Sequence, residues 1–234
     1  MKESLKVSAR QASLLGGLTV LFLLLFGLSG IICCVAADAR GLTREMQRFA
    51  PPADTGLPEE IYPELGRHLS DYLTGKKESF QFLLEDKDGE ERELFHDYEL
   101  VHMADCRNLL QLARMLCICT GLLGAAGLVV LGALDSSGRY RFSLDARNGL
   151  RICCAAALLL VGWALFSFDG FFIAFHRLAF RNDLWLLNPR TDLLIRLMPE
   201  NLFIDLGLRG LLAASIWVLL LTVGFARIRQ KNAG

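Results

Sequence analysis

Two histidines in this chain lie among acidic residues at the ends of apolar segments, where imidazole groups can carry out acid–base chemistry. In the first cluster Glu99, His102 and Asp105 follow one another at intervals of three residues, so on a helix they lie near one face. In the second cluster His176 ends a long apolar run, and Asp169 precedes it by two helical turns. Imidazoles exchange protons near neutral pH. If the fold places the two clusters side by side, they predict a site for acid–base catalysis.

The elements that must position these histidines are membrane helices. Of the 234 residues, 53% are hydrophobic, and the mean hydropathy is +0.38, which is too apolar for an ordinary soluble domain. A membrane-spanning helix needs about 20 apolar residues. Four segments are long enough: Ser13–Ala37, Leu112–Leu134, Ile152–Phe175 and Leu206–Ala226. We expect the first span to be retained, because its apolar run exceeds the ~7–15 residues of a signal-peptide core.

Basic residues indicate how the four spans are oriented. They concentrate in the N-terminal tail, in the link at residues 135–151 and at the C-terminus: Lys2, Lys6 and Arg10; Arg139, Arg141, Arg147 and Arg151; Arg227, Arg229 and Lys231. Acidic residues outnumber basic ones in the connection 38–110. The positive-inside rule therefore predicts that both termini are cytoplasmic. His102 and His176 would then meet at the outer face of the bilayer, where the second span begins and the third ends.

The chain divides by composition into three parts. Residues 1–37 hold the cytoplasmic tail and the first membrane helix, and residues 38–110 form an extracytoplasmic cap. Residues 111–234 hold the other three helices, with an outer interfacial loop at 176–205. The expected fold class is all-α transmembrane, a four-helix membrane bundle with a small extracytoplasmic α+β cap between helices 1 and 2.

Patterns within the cap predict its local structure. Residues 41–58 are typical of a linker, and Glu60–Leu73 has the apolar spacing of a helix. Ser79–Leu84 is typical of a strand, and the Lys-Asp-Gly at 87–89 predicts a turn into a second strand at Glu91–Phe95. A cap of this size buries little apolar surface by itself, so we expect it to pack against the membrane helices.

The residue types near the histidines narrow the reaction class. Neither histidine has an adjacent serine, and the nearest thiol, Cys106, lies at i+4 from His102. The sequence contains no zinc-protease helix motif, glycine-rich phosphate loop or redox pair of cysteines. A histidine base, with a second histidine or Asn182 to stabilise an oxyanion, suffices for acyl transfer from an ester to an amine. This chemistry needs no cofactor and no ATP.

Two other functions are compatible with the same residues. A histidine and carboxylate site in a metal-dependent lipid hydrolase would make activity sensitive to chelators. The chain could also be a non-enzymatic receptor or assembly factor whose cap binds a partner. In that case His102 and His176 would be structural residues, and their replacement would leave the function intact.

Two stretches resemble the lipoprotein intramolecular transacylases, a family of four-span bacterial membrane proteins: ELVHMADCRNLL at 99–110 and FHRLAFRNDLWLLNPRTDLLIRLMPENLF at 175–203. The matching residues are Glu99, His102, Met103 and Asp105 in the first stretch, and Phe175, His176, Phe180, Asn182, Trp185, Asp192, Pro199 and Phe203 in the second. Tyr98 and Cys106 depart from the pattern, since a basic and an aliphatic residue are expected there.

The resemblance implies an activity, a substrate and a set of site residues. The family moves one acyl chain from the diacylglyceryl group to the α-amine of the N-terminal cysteine of a bacterial lipoprotein, which yields the lyso form. His102 and His176 become the catalytic residues, and the expected substrate-binding residues are Glu99, Asp105, Asn182, Asp183, Trp185 and Asp192. No metal is implied.

The resemblance also implies partners and a location. The partners are the diacylated lipoprotein N-terminus and membrane lipid, with no nucleic acid and no obligatory protein partner. We expect a multi-pass protein of the bacterial cytoplasmic membrane with its active site on the extracytoplasmic side. The amphipathic segment Asn188–Met198 would lie in the interface, with Trp185 at headgroup level.

Overall fold

The structure, a computed structural model, describes residues 5–85 and 90–231, so the predicted turn at 87–89 lies outside the described residues. Within that part, the helices long and apolar enough to cross a membrane are α1 (Ala9–Ala37), α5 (Asp97–Ala133), α6 (Ser136–Phe166) and α9 (Glu200–Lys231). Between α1 and α5 lie α2 (Ala39–Phe49), α3 (Pro52–Thr55), a 3-10 turn (Glu59–Ile61), α4 (Tyr62–Leu73), β1 (Leu83–Glu85) and β2 (Glu91–Glu93). Between α6 and α9 lie α7 (Phe168–Ala179) and α8 (Leu193–Leu197). The predicted fold class is confirmed.

One compact unit contains the stretch that ends at Gly30, Arg114–Phe172 and the stretch that begins at Leu212. Its core consists of buried apolar side chains: Val20, Leu23, Leu24, Leu131, Leu134, Phe142, Ala146, Leu150 and Phe225. A Cβ at Gly127 would collide with the Thr19 side chain, so this glycine allows α1 and α5 to pack closely. Many other apolar side chains of these helices are exposed, as expected of surfaces that lipid covers.

The second compact unit contains Ile31–Ala113 and Ile173–Leu211, and it holds every residue that the sequence predicts for the functional site. Its core joins side chains from α2, residues 57–72, the residues that flank the two strands, the start of α5, α8 and the start of α9: Leu42, Met46, Leu57, Ile61, Tyr62, Leu65, Leu69, Tyr72, Phe80, Phe82, Leu94, Phe95, Met103, Leu193, Leu194, Leu197 and Leu202. This core forms the framework on which the site is built.

The third apolar run is not one helix, so the predicted span Ile152–Phe175 is wrong in its second half. α6 ends at Phe166, and Ser167 adopts a non-helical conformation with φ −153° and ψ 81°. α7 begins at the next residue, with Asp169 in its first turn, where the free N–H groups favour an acidic side chain. Asp169 is therefore an exposed residue at a helix start.

Residues 41–58 are not the predicted linker, because α2 occupies the first half of that range. The carboxylate of Asp38 caps the helix by accepting a hydrogen bond from the Gly41 N–H at 2.9 Å. Leu42 and Met46, one turn apart, are buried together with Glu45. Both the cap and the apolar spacing were present in the sequence, but the Pro- and Gly-rich residues that follow α2 obscured them.

The predicted hairpin forms with shifted strand boundaries. β1 pairs antiparallel with β2, with Glu85 opposite Glu91. The predicted strand Ser79–Leu84 overlaps β1 only in its last two residues. Phe80 and Phe82 precede β1, and their side chains are buried in the core of the unit.

The link predicted at residues 135–151 is helical. Asp135 caps α6 through a 2.8 Å hydrogen bond from the Gly138 N–H, so the four arginines of this range lie on the first turns of α6. The connection between α5 and α6 is correspondingly short.

Candidate active site

The structure brings His102 and His176 together. His102 lies in the second turn of α5, His176 lies in the last turn of α7, and the centroids of their rings are 6.2 Å apart with the planes at 33°. Each residue is only 8% exposed. Two imidazoles this close cannot both carry a charge without strong repulsion, so the pair favours a state in which at least one ring is neutral.

Aromatic side chains surround the pair. The ring of Phe180 lies 5.1 Å from His102 and 5.4 Å from His176, and the indole of Trp185 lies 5.0 Å from His176. Phe175 contacts His176 edge-on. This apolar wall restricts access of water, which strengthens any electrostatic interaction formed inside it. Phe180 is one of the residues that carry the family resemblance, but the sequence assigned it no role in the site, although its position four residues after His176 placed it within reach.

The two ring nitrogens of His102 have different surroundings. Nε2 lies 3.6 Å from the sulfur of Cys106, one helical turn further along α5. Nδ1 is buried and has no hydrogen-bond partner among the described residues. A buried polar atom without a partner costs roughly 1–3 kcal/mol, so this nitrogen is suited to bind a group that the protein itself does not supply.

Asp105 and Asn182 connect α5 to the loop after α7. The side-chain amide of Asn182 donates to a carboxylate oxygen of Asp105 at 2.8 Å, and its oxygen accepts from the Leu184 N–H at 3.1 Å. Both side chains are partly exposed. The Asn182 amide, predicted as an oxyanion donor, is thus directed at Asp105.

Glu99 is fully buried at 0% exposure. One carboxylate oxygen accepts from the His96 N–H and the other from the Leu194 N–H, each at 2.8 Å. The first contact is half of a capping box at the start of α5, and the second satisfies a free N–H in the first turn of α8. Glu99 therefore joins two helix N-termini one turn away from His102.

Asp192 holds the loop before α8 through three hydrogen bonds. It accepts from the hydroxyl groups of Tyr98 and Thr191, each at 2.6 Å, and from the Asn188 N–H at 2.7 Å. Burial alone would raise the pKa of Asp192, but these hydrogen bonds outweigh burial and the pKa is lowered. Tyr98, at the position where the family resemblance led us to expect a basic residue, thus supplies a neutral donor to this carboxylate.

The other predicted site residues lie in different surroundings. Trp185 is buried against His176 instead of standing at the surface as an interfacial anchor. Asp183 is exposed, and its backbone carbonyl accepts from the Leu186 N–H. The structure therefore contains an inner group of three side chains: His102, His176 and Trp185. A second set forms hydrogen bonds with the neighbouring helix ends and loops: Glu99, Asp105, Asn182 and Asp192.

The remaining histidines lie outside the pair. His68 is buried in the cap, where its Nε2 lies 2.9 Å from the Phe80 carbonyl, and burial is the main cause of its lowered pKa. Replacement of His68 would therefore disturb the cap core. His96 is exposed and stacks on Tyr98.

Within residues 5–85 and 90–231, no set of three or more His, Cys, Asp or Glu side chains is arranged to hold a metal ion.

Comparisons with known proteins agree on one family. The sequence model described as "Lipoprotein intramolecular transacylase Lit" matches residues 17–203. The structure is similar to the lipoprotein intramolecular transacylase Lit from Bacillus cereus, with a TM-score of 0.71 and 19% identity over 96% of this chain and 97% of that one. Two histidine variants of the Bacillus cereus protein match with TM-scores of 0.64 and 0.67 at 17% and 18% identity, over 96% of this chain and 93% and 95% of theirs. No curated protein sequence matches.

Proposed function

The chain belongs to the lipoprotein intramolecular transacylase family and is an acyltransferase, and we propose that its substrate is the diacylglyceryl-modified N-terminal cysteine of a bacterial lipoprotein. One acyl chain passes from the glyceryl oxygen to the α-amine of that cysteine, which gives the lyso form. The observation that carries the proposal is the 6.2 Å pairing of His102 and His176 inside an aromatic wall. An ester aminolysis needs a proton acceptor and an oxyanion donor, and the pair can supply both.

The reaction balances with these two groups alone. The neutral amine attacks the ester carbonyl carbon, a C–N bond forms, and one imidazole takes the proton from nitrogen. The other imidazole donates a hydrogen bond to the carbonyl oxygen as negative charge develops there. When the C–O bond to the glyceryl group breaks, the first imidazole returns its proton to the leaving oxygen. The products are an amide and a free hydroxyl group, so both histidines end the cycle as they began it.

The predicted binding residues divide into two proposed roles. Trp185 lies against His176 and would contact the acyl ester. The carboxylates of Glu99 and Asp192 are occupied by protein donors, so they would position α5 and the loop before α8. Asp105 and Asn182 hold each other and would set the distance between α5 and the loop after α7. Asp183, which is exposed, would face the polar part of the substrate.

The proposed function is tested by mass spectrometry of lipoprotein N-termini from bacterial cells with and without this chain. Cells that express it should contain N-acylated lyso-lipoproteins that control cells lack. Diacylated N-termini that remain unchanged while the protein is present in the membrane would contradict the proposal.

We further expect both termini to be cytoplasmic, with the histidine pair on the extracytoplasmic side, because the basic residues concentrate at the termini and on the first turns of α6. A reporter enzyme that is active only outside the cytoplasm, fused after Gly234, should stay inactive. The same reporter inserted in the surface-exposed region around Glu91 should be active. The opposite pattern would reverse the orientation.

Turnover is expected to be unaffected by metal chelation, because proton transfer between the two imidazoles and the substrate suffices for ester aminolysis. The measurement is the rate of lyso-lipoprotein formation by purified protein in detergent, with and without EDTA. A loss of activity that zinc restores would favour a metal-dependent reaction over the histidine mechanism.

A further inference from the structure

A thiol lies next to the predicted catalytic pair. The Cys106 sulfur is 3.6 Å from Nε2 of His102, within the distance at which sulfur forms hydrogen bonds. Both residues lie on α5 one turn apart, so the helix itself fixes their separation. This is one of the two positions at which the chain departs from the family pattern, in which an aliphatic side chain would offer His102 no hydrogen bond.

The other nitrogen of the His102 ring, Nδ1, is free to form a hydrogen bond with a substrate. His102 is more than nine-tenths buried, and its Nδ1 has no partner among the described residues. A neutral imidazole carries one proton, on either Nδ1 or Nε2, and the contact made by one nitrogen decides what the other can do. The partner of Nε2 therefore determines whether Nδ1 presents a donor or an acceptor to a substrate.

We infer that Cys106 is a positioning residue whose S–H group donates to Nε2 of His102 and so holds the proton of the ring on Nδ1. The S–H group of a thiol donates a weak hydrogen bond, and its sulfur is a poor acceptor. The unprotonated nitrogen of a neutral imidazole is a good acceptor, so the thiol is the donor in this contact. With Nε2 accepting from the thiol, Nδ1–H becomes the unpaired donor in the apolar pocket.

This inference rests on the proposed function and adds a division of roles to it. His102 presents Nδ1–H to the ester carbonyl oxygen and stabilises the oxyanion. His176, whose ring lies 6.2 Å away and packs against Trp185, is left to take the proton from the amine. No covalent bond to Cys106 forms at any step, because the thiol keeps its proton throughout.

The hydrogen bond is tested without any activity measurement by infrared spectroscopy of the S–H stretch, as a difference between the wild-type protein and Cys106→Val. The band of Cys106 should lie at lower frequency than that of a free thiol, and it should shift when His102 is replaced by alanine. Cys119→Val, an exposed cysteine on the same helix, provides the reference for a thiol without a histidine neighbour. A Cys106 band at the free-thiol position would overturn the inference.

The role is tested by the pH dependence of single-turnover acyl transfer. Cys106→Val should slow the reaction roughly 3- to 10-fold, the size of one neutral hydrogen bond. The acid limb of its pH–rate profile should also move, because the neutral form of His102 loses a hydrogen bond that stabilises it and the protonation of the two neighbouring rings is coupled. Cys106→Ser, which keeps a donor, should recover most of the rate, and Cys119→Val should match wild type.

The outcomes separate this inference from the proposed function. An active wild-type protein with an identical rate and pH profile in Cys106→Val would reject the role of Cys106 and leave transacylation intact. A wild-type protein that makes no lyso-lipoprotein would reject the proposed function, while the infrared band would still report whether the thiol donates to His102.

Discussion

Replacing either His102 or His176 with alanine is expected to lower the rate of lyso-lipoprotein formation by ~10²–10⁴-fold, the usual cost of losing a general base or an oxyanion donor. The two rings lie 6.2 Å apart behind Phe180 and Trp185, so no other described imidazole can take over either role. The proposed mechanism has both rings act on one tetrahedral intermediate, so the double variant should be little slower than either single variant.

The measurement is the initial rate of conversion of a diacylated lipopeptide by equal amounts of membrane-inserted protein. His96→Asn is the matched control, because His96 is exposed and precedes α5, where asparagine is a favoured N-cap. That variant should keep the wild-type rate. Full activity in either alanine variant, or a double variant whose loss is the product of the two single losses, would contradict a shared site.

Glu99→Ala is expected to lower the free energy of unfolding by roughly 2–5 kcal/mol, since the buried N–H group of Leu194 and the part-buried N–H group of His96 lose their acceptor together. It should also slow acyl transfer, because Glu99 holds α5 in place one turn before His102. Glu99→Gln should lie between alanine and wild type: its amide oxygen can accept from one N–H, while its NH₂ group faces the other.

Thermal unfolding in detergent, followed by circular dichroism, measures this loss. Glu64→Ala serves as a control of the same residue type, because Glu64 is exposed in the first turn of α4. If Glu99→Ala unfolds at the same temperature as Glu64→Ala, the buried carboxylate does not brace the two helix ends.

Features governed by periodicity could be predicted from the sequence. The four apolar runs and the stripe of α5 that carries Glu99 and His102 follow from helical spacing and from the length needed to cross a bilayer. The meeting of His102 and His176 followed from placing the second and third spans side by side. The first of these expectations depends on single elements, and the second needs only the rule that consecutive spans run antiparallel.

Features governed by long-range contacts could not be predicted. The acceptor role of Glu99 depends on a backbone N–H group 95 residues away, and backbone groups leave no trace in side-chain patterns. The partner of Tyr98 is equally distant, at Asp192. The break at Ser167 had a local signal, a serine followed closely by an aspartate, but the surrounding apolar residues favoured an unbroken span.

The compact unit that carries both histidines is assembled from two separated stretches, Ile31–Ala113 and Ile173–Leu211, and this sets the time at which the enzyme becomes active during its own synthesis. The second stretch ends 98 residues after the first one ends, at Leu211 against Ala113, so at ~5–20 residues per second the ribosome needs roughly 5–20 s to complete it. Until the second stretch has been made, His102 lacks its neighbour His176, and the Glu99 carboxylate lacks the Leu194 N–H group of α8 as a donor. A nascent chain is therefore unable to transfer acyl groups until the start of α9 has been made.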